Sequence, residues 1–156
     1  MKKLFEFLKP KKSKSKYVEE LTSNFDKKLN PKKKADENYA KDRLKSDEVF
    51  KKLMNQDFYF EIDGLMRHFD ERLVSKTKGE KCGFNVDDRY YTLTFHSDGW
   101  DNHPITYRYL AEENKIRIDV PGNDGLKDKE FNINQSREAE KYFLKMMTRH
   151  MEYKIR

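Results

Sequence analysis

The apolar residues in the first half of the chain recur every three or four positions, which is the spacing of one face of an α-helix. The pattern is clearest over residues 17–29 and 57–75, and a weaker version covers residues 36–54. The pair Asn30–Pro31 follows the first stripe, and proline disfavours the helical conformation of the residue before it. The sequence therefore predicts three helices over these ranges, the first with one apolar face to bury.

After a polar, glycine-containing stretch at residues 76–88, apolar and polar residues alternate, as in strands with one buried face. The alternation predicts four strands, at about residues 89–96, 104–110, 115–120 and 130–134. Helical spacing returns at residues 136–154, where aromatic and methionine side chains share one stripe. The order of elements predicts an α+β fold, in which N-terminal helices precede a four-stranded antiparallel β-meander covered on one face by a C-terminal helix.

Charge is concentrated at the N-terminus. The 156 residues include 34 lysines and arginines and 28 acidic residues, which gives a net charge of +6. Residues 1–16 hold seven lysines and one glutamate, so they account for the whole net charge and residues 17–156 are formally neutral. We therefore expect a basic flexible tail at 1–16 and a single α+β domain at 17–156, long enough for one core.

Lysines form the main candidate binding site. In the tail they are Lys9, Lys11, Lys12, Lys14 and Lys16, and a second cluster, Lys32, Lys33 and Lys34, follows Lys27 and Lys28. Clustered lysines attract polyanions, so the predicted partner is nucleic acid or an acidic protein. On the polar face of the predicted sheet, Arg108 and Arg117 would add phosphate contacts, and Tyr90 is the one aromatic residue placed to stack on a base.

The stretch FHSDGWDNHP, residues 95–104, is the place where residues typical of metal sites are densest. His96, Asp98, Asp101 and His103 offer nitrogen and oxygen ligands for a divalent metal such as zinc, manganese or iron. In regular strands, however, the two histidines lie on opposite faces, and aspartates are common turn formers. We therefore expect no cofactor, with a divalent metal as the alternative.

Trp100 is the only tryptophan of the chain and lies within the same loop. A tryptophan at the tip of an exposed loop is either folded back on the core or an anchor in a protein interface. The alternative function is therefore an adaptor or inhibitor that docks on a protein partner through the Trp100 hairpin loop, with Tyr90 as a second contact.

Four apolar residues precede the tail lysines: Leu4, Phe5, Phe7 and Leu8. Aromatic and leucine side chains beside clustered lysines suit attachment to an anionic membrane surface. The patch is too short for a signal peptide or a membrane span. The single cysteine, Cys82, permits no intramolecular disulfide and fits a reducing compartment. We expect a cytoplasmic protein, with peripheral membrane attachment as the alternative.

The sequence favours a binding protein over an enzyme, because it contains no phosphate loop, dinucleotide-binding fingerprint or serine elbow. The leading hypothesis is a small non-enzymatic protein whose lysine-rich tail engages nucleic acid or another polyanion. Second is the adaptor or inhibitor, and third is a metal-dependent hydrolase centred on His96 and His103. The lysine-, asparagine- and tyrosine-rich composition is compatible with an AT-rich genome, such as that of a mobile element.

Overall fold

The computed structural model describes residues 15–73, 82–97, 104–122 and 125–154. The helices are α1 (Lys16–Leu53), α2 (Gln56–Leu73) and α3 (Ser136–Lys154). The strands are β1 (Gly83–Asp87), β2 (Thr92–His96), β3 (Ile105–Leu110), β4 (Lys115–Asp119) and β5 (Lys129–Asn132). The predicted α+β class is confirmed. The chain divides into two units, Met1–Leu44 and Lys45–Arg156.

Helix α1 is a single element where the sequence predicted two. Ser15 caps its N-terminus, because the Val18 N–H donates to Ser15 Oγ at 3.3 Å. Pro31 lies inside the helix, so the predicted break between residues 29 and 36 is wrong. Proline costs a helix about 3 kcal/mol, but the lysine-, alanine- and glutamate-containing sequence that follows favours the helical state and continues it.

The sheet has five antiparallel strands in the order β1-β2-β3-β4-β5, one more than predicted. The additional strand, β1, pairs with β2, so that Phe84 lies opposite Phe95. Glycine, asparagine and aspartate alternate with only two apolar residues in β1. These residue types are frequent in turns, which is why the sequence pattern indicated a loop. Strand alternation puts them on the face opposite Phe84 and Val86.

The residues before β2 form a turn. The sequence predicted a strand from residue 89, but β2 begins at Thr92, after a turn at residues 88–91. Tyr91 has a φ of 53° in this turn, a left-handed conformation outside the strand region. Its ring is buried, and its hydroxyl donates to Asp47 Oδ1 at 2.7 Å. Tyr91 thereby connects the last turns of α1 to the sheet.

The core of the Lys45–Arg156 unit lies between one face of the sheet and the helices α2 and α3. Phe58 and Ile62 of α2 and Phe143 of α3 are completely buried. The rings of Phe58 and Phe143 lie 5.9 Å apart, and both contact the ring of Tyr107 in β3. Helix α3 packs on β3, β4 and β5, which confirms the predicted cover of the sheet by the C-terminal helix.

A polar cluster joins α2 to α3. Asn55 caps α2 by accepting from the Phe58 N–H at 2.9 Å, and its Nδ2 donates to the buried Glu140 at 2.9 Å. Arg137 donates to the other oxygen of Glu140 at 2.8 Å and to the two oxygens of Glu61 at 2.6 and 2.9 Å. These hydrogen bonds compensate the burial of the Glu140 carboxylate. The hydrogen bond from Arg137 is also the main reason that the pKa of Glu61 is lowered.

Candidate functional site

The lysine cluster, which we define as Lys27, Lys28, Lys32, Lys33 and Lys34, lies in the middle of α1. The sequence placed it at a helix end and a turn, but the helix runs through it. All five side chains are exposed, and none forms an ion pair with another residue that the structure describes. Because successive helical residues are about 100° apart, these lysines point to all sides of the helix.

The lysine cluster is a separate block of positive charge along α1. Residues 27–34 contain five lysines and no acid, whereas residues 19–26 contain three acids and no base. At a rise of about 1.5 Å per residue, the block is about 12 Å long and carries about one charge per 2.4 Å. Duplex DNA carries one negative charge per about 1.7 Å of its axis. The block is therefore similar to nucleic acid in linear charge density and opposite in sign.

The apolar stripe of the same helix is exposed. Val18, Leu21, Phe25 and Leu29, which we call the α1 stripe, have exposed fractions of 40%, 50%, 65% and 43%. The expectation that this face is buried within the chain is wrong. In its described residues the Met1–Leu44 unit consists of this helix alone, so the unit supplies no second layer against which the stripe can pack.

Most of the tail lies outside the described residues. The predicted contacts there are Lys9, Lys11, Lys12 and Lys14, together with the apolar residues Leu4, Phe5, Phe7 and Leu8. Lys16 is the first residue of α1 and is exposed. Contacts of the tail with a polyanion or a membrane stay predictions.

The two arginines of the sheet face are held by carboxylates. Arg108 lies directly opposite Arg117 in the β3–β4 pair. Asp119 accepts from Arg117 Nε at 2.6 Å and lies 3.7 Å from Arg108 Nε. The hydrogen bond to Asp119 is the main reason that the pKa of Arg117 is raised. Arg117 also lies 3.3 Å from Asp128 and from Glu130, so a phosphate would compete there with three carboxylates. The geometry therefore favours a structural role for Arg117 in the sheet over a role in binding phosphate.

Tyr90 is exposed, but it lies in the turn at residues 88–91 and not in a strand. Strand alternation therefore does not place it on the polar face of the sheet. The guanidinium carbon of Arg89 lies 5.7 Å from the centre of its ring, within the range of a cation–π contact. A role for Tyr90 in partner binding stays a prediction.

A second basic surface, which the sequence pattern did not lead us to predict, lies on α3. Arg137, Lys141, Lys145 and Arg149 follow one another at intervals of four, so they form a row along the exposed side of the helix. Arg137 belongs to the polar cluster described above, whereas the other three make no ion pair with a described residue. The regular spacing of four was visible in the sequence and would have revealed this row.

An open cleft of about 230 Å³ adjoins the α3 row. The residues that line it are Lys129, Phe131, Glu138, Lys141, Tyr142 and Lys145. Lys129 Nζ lies 5.2 Å from the centre of the Phe131 ring and 5.4 Å from that of Tyr142. Three ammonium groups, one carboxylate and two aromatic rings thus line the cleft, which gives it a positive balance of charge.

His96 is the one predicted metal ligand whose position is described. It ends β2, and its ring packs on Gly83, where an added Cβ would lie 2.7 Å from His96 Cε1. Its Nδ1 is buried without a hydrogen-bond partner among the described residues. The other predicted ligands and the predicted interface residue lie outside the described ranges: Asp98, Asp101, His103 and Trp100. Within those ranges no three His, Cys, Asp or Glu residues could hold a metal ion. The metal and adaptor hypotheses stay predictions.

Comparison of the chain with protein-family models, with curated proteins and with solved structures finds no match in any of the three. In the part of the chain that the structure describes, no helix combines the length and the apolar character needed to cross a bilayer.

Proposed function

We propose that the protein is a small binding protein that engages nucleic acid through the lysine cluster of α1. The observation that carries the proposal is the exposure of five lysines within residues 27–34, none of them in an ion pair with a described residue. Lysines that approach phosphates release the counterions condensed on the nucleic acid, and this release drives association. Five such contacts are enough for binding that depends steeply on salt.

Binding of this kind depends on charge and not on base sequence. The lysine ammonium is a compact point charge without the planar geometry that arginine uses to read guanine. Contacts to phosphates position a protein on nucleic acid but carry no sequence information. We therefore expect the lysine cluster to bind unrelated oligonucleotides of equal length with similar affinity.

The distribution of the lysines around α1 favours nucleic acid over a membrane surface. A flat anionic surface meets only the lysines on one side of a helix. A duplex groove has phosphates along both walls, and a flexible single strand can follow several sides of the helix. The tail lysines and the α3 row would add secondary contacts.

Fluorescence anisotropy with labelled single- and double-stranded oligonucleotides, at about 50 and 200 mM salt, tests the proposal. The test variant replaces the five lysines of the cluster by glutamine, which keeps the helical propensity and removes the charge. The control variant carries the same number of Lys→Gln changes on the Lys45–Arg156 unit: K51Q, K52Q, K129Q, K141Q and K145Q.

We expect the full chain to bind both forms of nucleic acid. Loss of five phosphate contacts reduces the slope of log K against log salt by about 3.5 to 4.5, and the control variant changes the slope less than the cluster variant does. Absence of binding by the full chain, or an equal loss in the two variants, contradicts the proposal.

A further inference from the structure

The α1 stripe is an uncovered apolar surface in the described residues of the Met1–Leu44 unit. Its four side chains are spaced three or four residues apart, so they lie along one side of the helix over about three turns. A helix in water gains most of its stability from packing its apolar face and little from helical propensity. Pro31 weakens this helix further. A second surface that covers the stripe would stabilise α1.

We propose that the α1 stripe pairs with the same stripe of a second copy of the chain, with the two helices antiparallel. The two blocks of charge along α1 determine the orientation. The acidic block, Glu19, Glu20 and Asp26, lies toward the N-terminal end, and the lysine cluster lies toward the C-terminal end. A parallel pair places lysines beside lysines, whereas an antiparallel pair places the acidic block of each copy beside the lysines of the other.

The spacing of the α1 stripe fits the antiparallel arrangement. A two-fold axis between Ser23 and Asn24 brings Val18 of each copy opposite Leu29 of the other. With the same axis, the position opposite Leu21 is residue 26 of the other helix, which is next to Phe25. An interface of this kind is self-complementary, because each residue meets its counterpart through the two-fold axis. The stripe is short, so we expect a reversible dimer whose population depends on concentration.

The antiparallel pair determines where the lysine clusters lie on the dimer. Residues 32–34 lie beyond the stripe and remain exposed at both ends of the pair. Each lysine cluster is centred about seven residues from the two-fold axis, which places the two clusters about 21 Å apart along the pair. Two such clusters on one dimer would act together on a single polyanion. The pairing itself does not depend on the proposed nucleic-acid binding.

Analytical ultracentrifugation of the full chain without nucleic acid, at about 2 to 200 µM, tests the pairing. L21Q/F25Q removes two side chains of the stripe, and we expect the dimer to weaken by more than about tenfold. Y39Q/L44Q is the matched control, because Tyr39 and Leu44 are also exposed apolar residues of the same helix but lie outside the stripe. A chain that is monomeric throughout, or one that both variants affect equally, overturns the proposal.

Charge reversal tests the orientation. E19K/E20K places lysines beside lysines in the antiparallel pair and should weaken the dimer by about tenfold, while the addition of K27E/K28E should restore it. In a parallel pair each residue lies beside its own counterpart, so like charges stay together in the wild type, in E19K/E20K and in the fourfold variant. A dimer that neither variant changes therefore overturns the antiparallel arrangement. Binding of a monomeric chain to anionic phosphatidylserine vesicles that L21Q/F25Q abolishes would assign the stripe to a membrane and overturn the pairing.

Discussion

Residues 15–44 and residues 45–154 use the same helical pattern with opposite results. In the second region the apolar faces of α2 and α3 are buried against the sheet and against each other. In the first region the apolar residues of α1 are exposed. Apolar periodicity therefore predicts that a helix forms, but it does not identify the surface that covers the helix. Burial requires a second layer, and only the Lys45–Arg156 unit has one in the residues that the structure describes.

The two regions also differ in how they use positive charge. In the Lys45–Arg156 unit Arg117 and Arg137 are each held by two or more carboxylates and stabilise the fold, whereas the other three members of the α3 row make no ion pair with a described residue. In residues 15–44 the lysine cluster has no ion-pair partner among the described residues. Paired cations contribute to structure, whereas unpaired ones remain available to a polyanion.

The largest expected difference between the regions is the effect of a charge placed on an apolar stripe. Phe143→Asp puts a carboxylate into the completely buried core and should cost more than about 4 kcal/mol, enough to unfold the Lys45–Arg156 unit. Phe25→Asp, on the exposed stripe, should leave the thermal unfolding of that unit unchanged. Near-ultraviolet circular dichroism during heating measures both. A Phe143→Asp protein that melts like the wild type would contradict the architecture.

Pro31→Ala should strengthen α1 without affecting the rest of the protein. The substitution restores a helical hydrogen bond and removes a steric conflict, which is worth about 3 kcal/mol to the helix. Hydrogen exchange should slow at residues 16–40 and stay the same in the sheet. Slower hydrogen exchange throughout the chain would show that the stability of α1 is coupled to that of the sheet, which would contradict this prediction.

Arg137→Met should destabilise the Lys45–Arg156 unit, because it leaves the buried Glu140 carboxylate with Asn55 as its remaining partner in the polar cluster. Arg67→Met is the matched control, since Arg67 pairs only with the exposed Asp63 and should contribute less than about 1 kcal/mol. Urea denaturation of both variants measures the difference. Equal losses would mean that the polar cluster is no more important than a surface ion pair.

The polar cluster also predicts a dependence on pH. The hydrogen bond from Arg137 lowers the pKa of Glu61 in the folded state. The ionised Glu61 therefore stabilises the folded protein fully above the ordinary glutamate pKa of 4.5. This contribution is lost as the pH falls through the lower pKa of the folded state. Arg137→Met should therefore make stability less sensitive to acid below pH 4.5. The measurement is the free energy of unfolding as a function of pH for the wild type and for Arg137→Met. Parallel curves below pH 4.5 would contradict the ion pair of Glu61 with Arg137 as the source of the acid sensitivity.

The smallest predicted effect concerns Tyr107. Its hydroxyl is buried without a hydrogen-bond partner among the described residues, and burial, followed by the charge of Glu140, raises its pKa. Tyr107→Phe removes this unsatisfied group and keeps the ring that packs on Phe58 and Phe143. We expect a gain of about 1 kcal/mol in the free energy of unfolding. A loss of similar size would show that the hydroxyl has a partner, such as a bound water molecule.

The fold could be predicted where apolar residues were numerous and regularly spaced. The alternation in β3 and β4 and the stripe of α3 predicted both the elements and their buried faces. Strand β1 was missed because Phe84 and Val86 are too few to reveal an alternation among turn-forming residues. The continuity of α1 was missed because the cost of one proline is local, whereas helical propensity accumulates over many residues.

The candidate site was predicted less completely than the fold. Charge counting identified the lysine cluster, because block charge can be read directly from the sequence. It could not show that the carboxylates of Asp119, Asp128 and Glu130 converge on Arg117, since their proximity depends on strand pairing. The α3 row was missed because three residues separate each member from the next, so the charges form no run in the sequence and meet only on the surface of the helix.

Lysine footprinting tests most directly the claim that the lysine cluster, more than any lysine of the Lys45–Arg156 unit, contacts nucleic acid. The full chain is acetylated briefly with and without a saturating oligonucleotide, and the modification of each lysine is measured by mass spectrometry. We predict strong protection of the five lysines of the cluster and unchanged modification of Lys51 and Lys52, with any protection of the α3 row weaker. Protection confined to Lys129, Lys141 and Lys145, or equal at all lysines, would contradict the account.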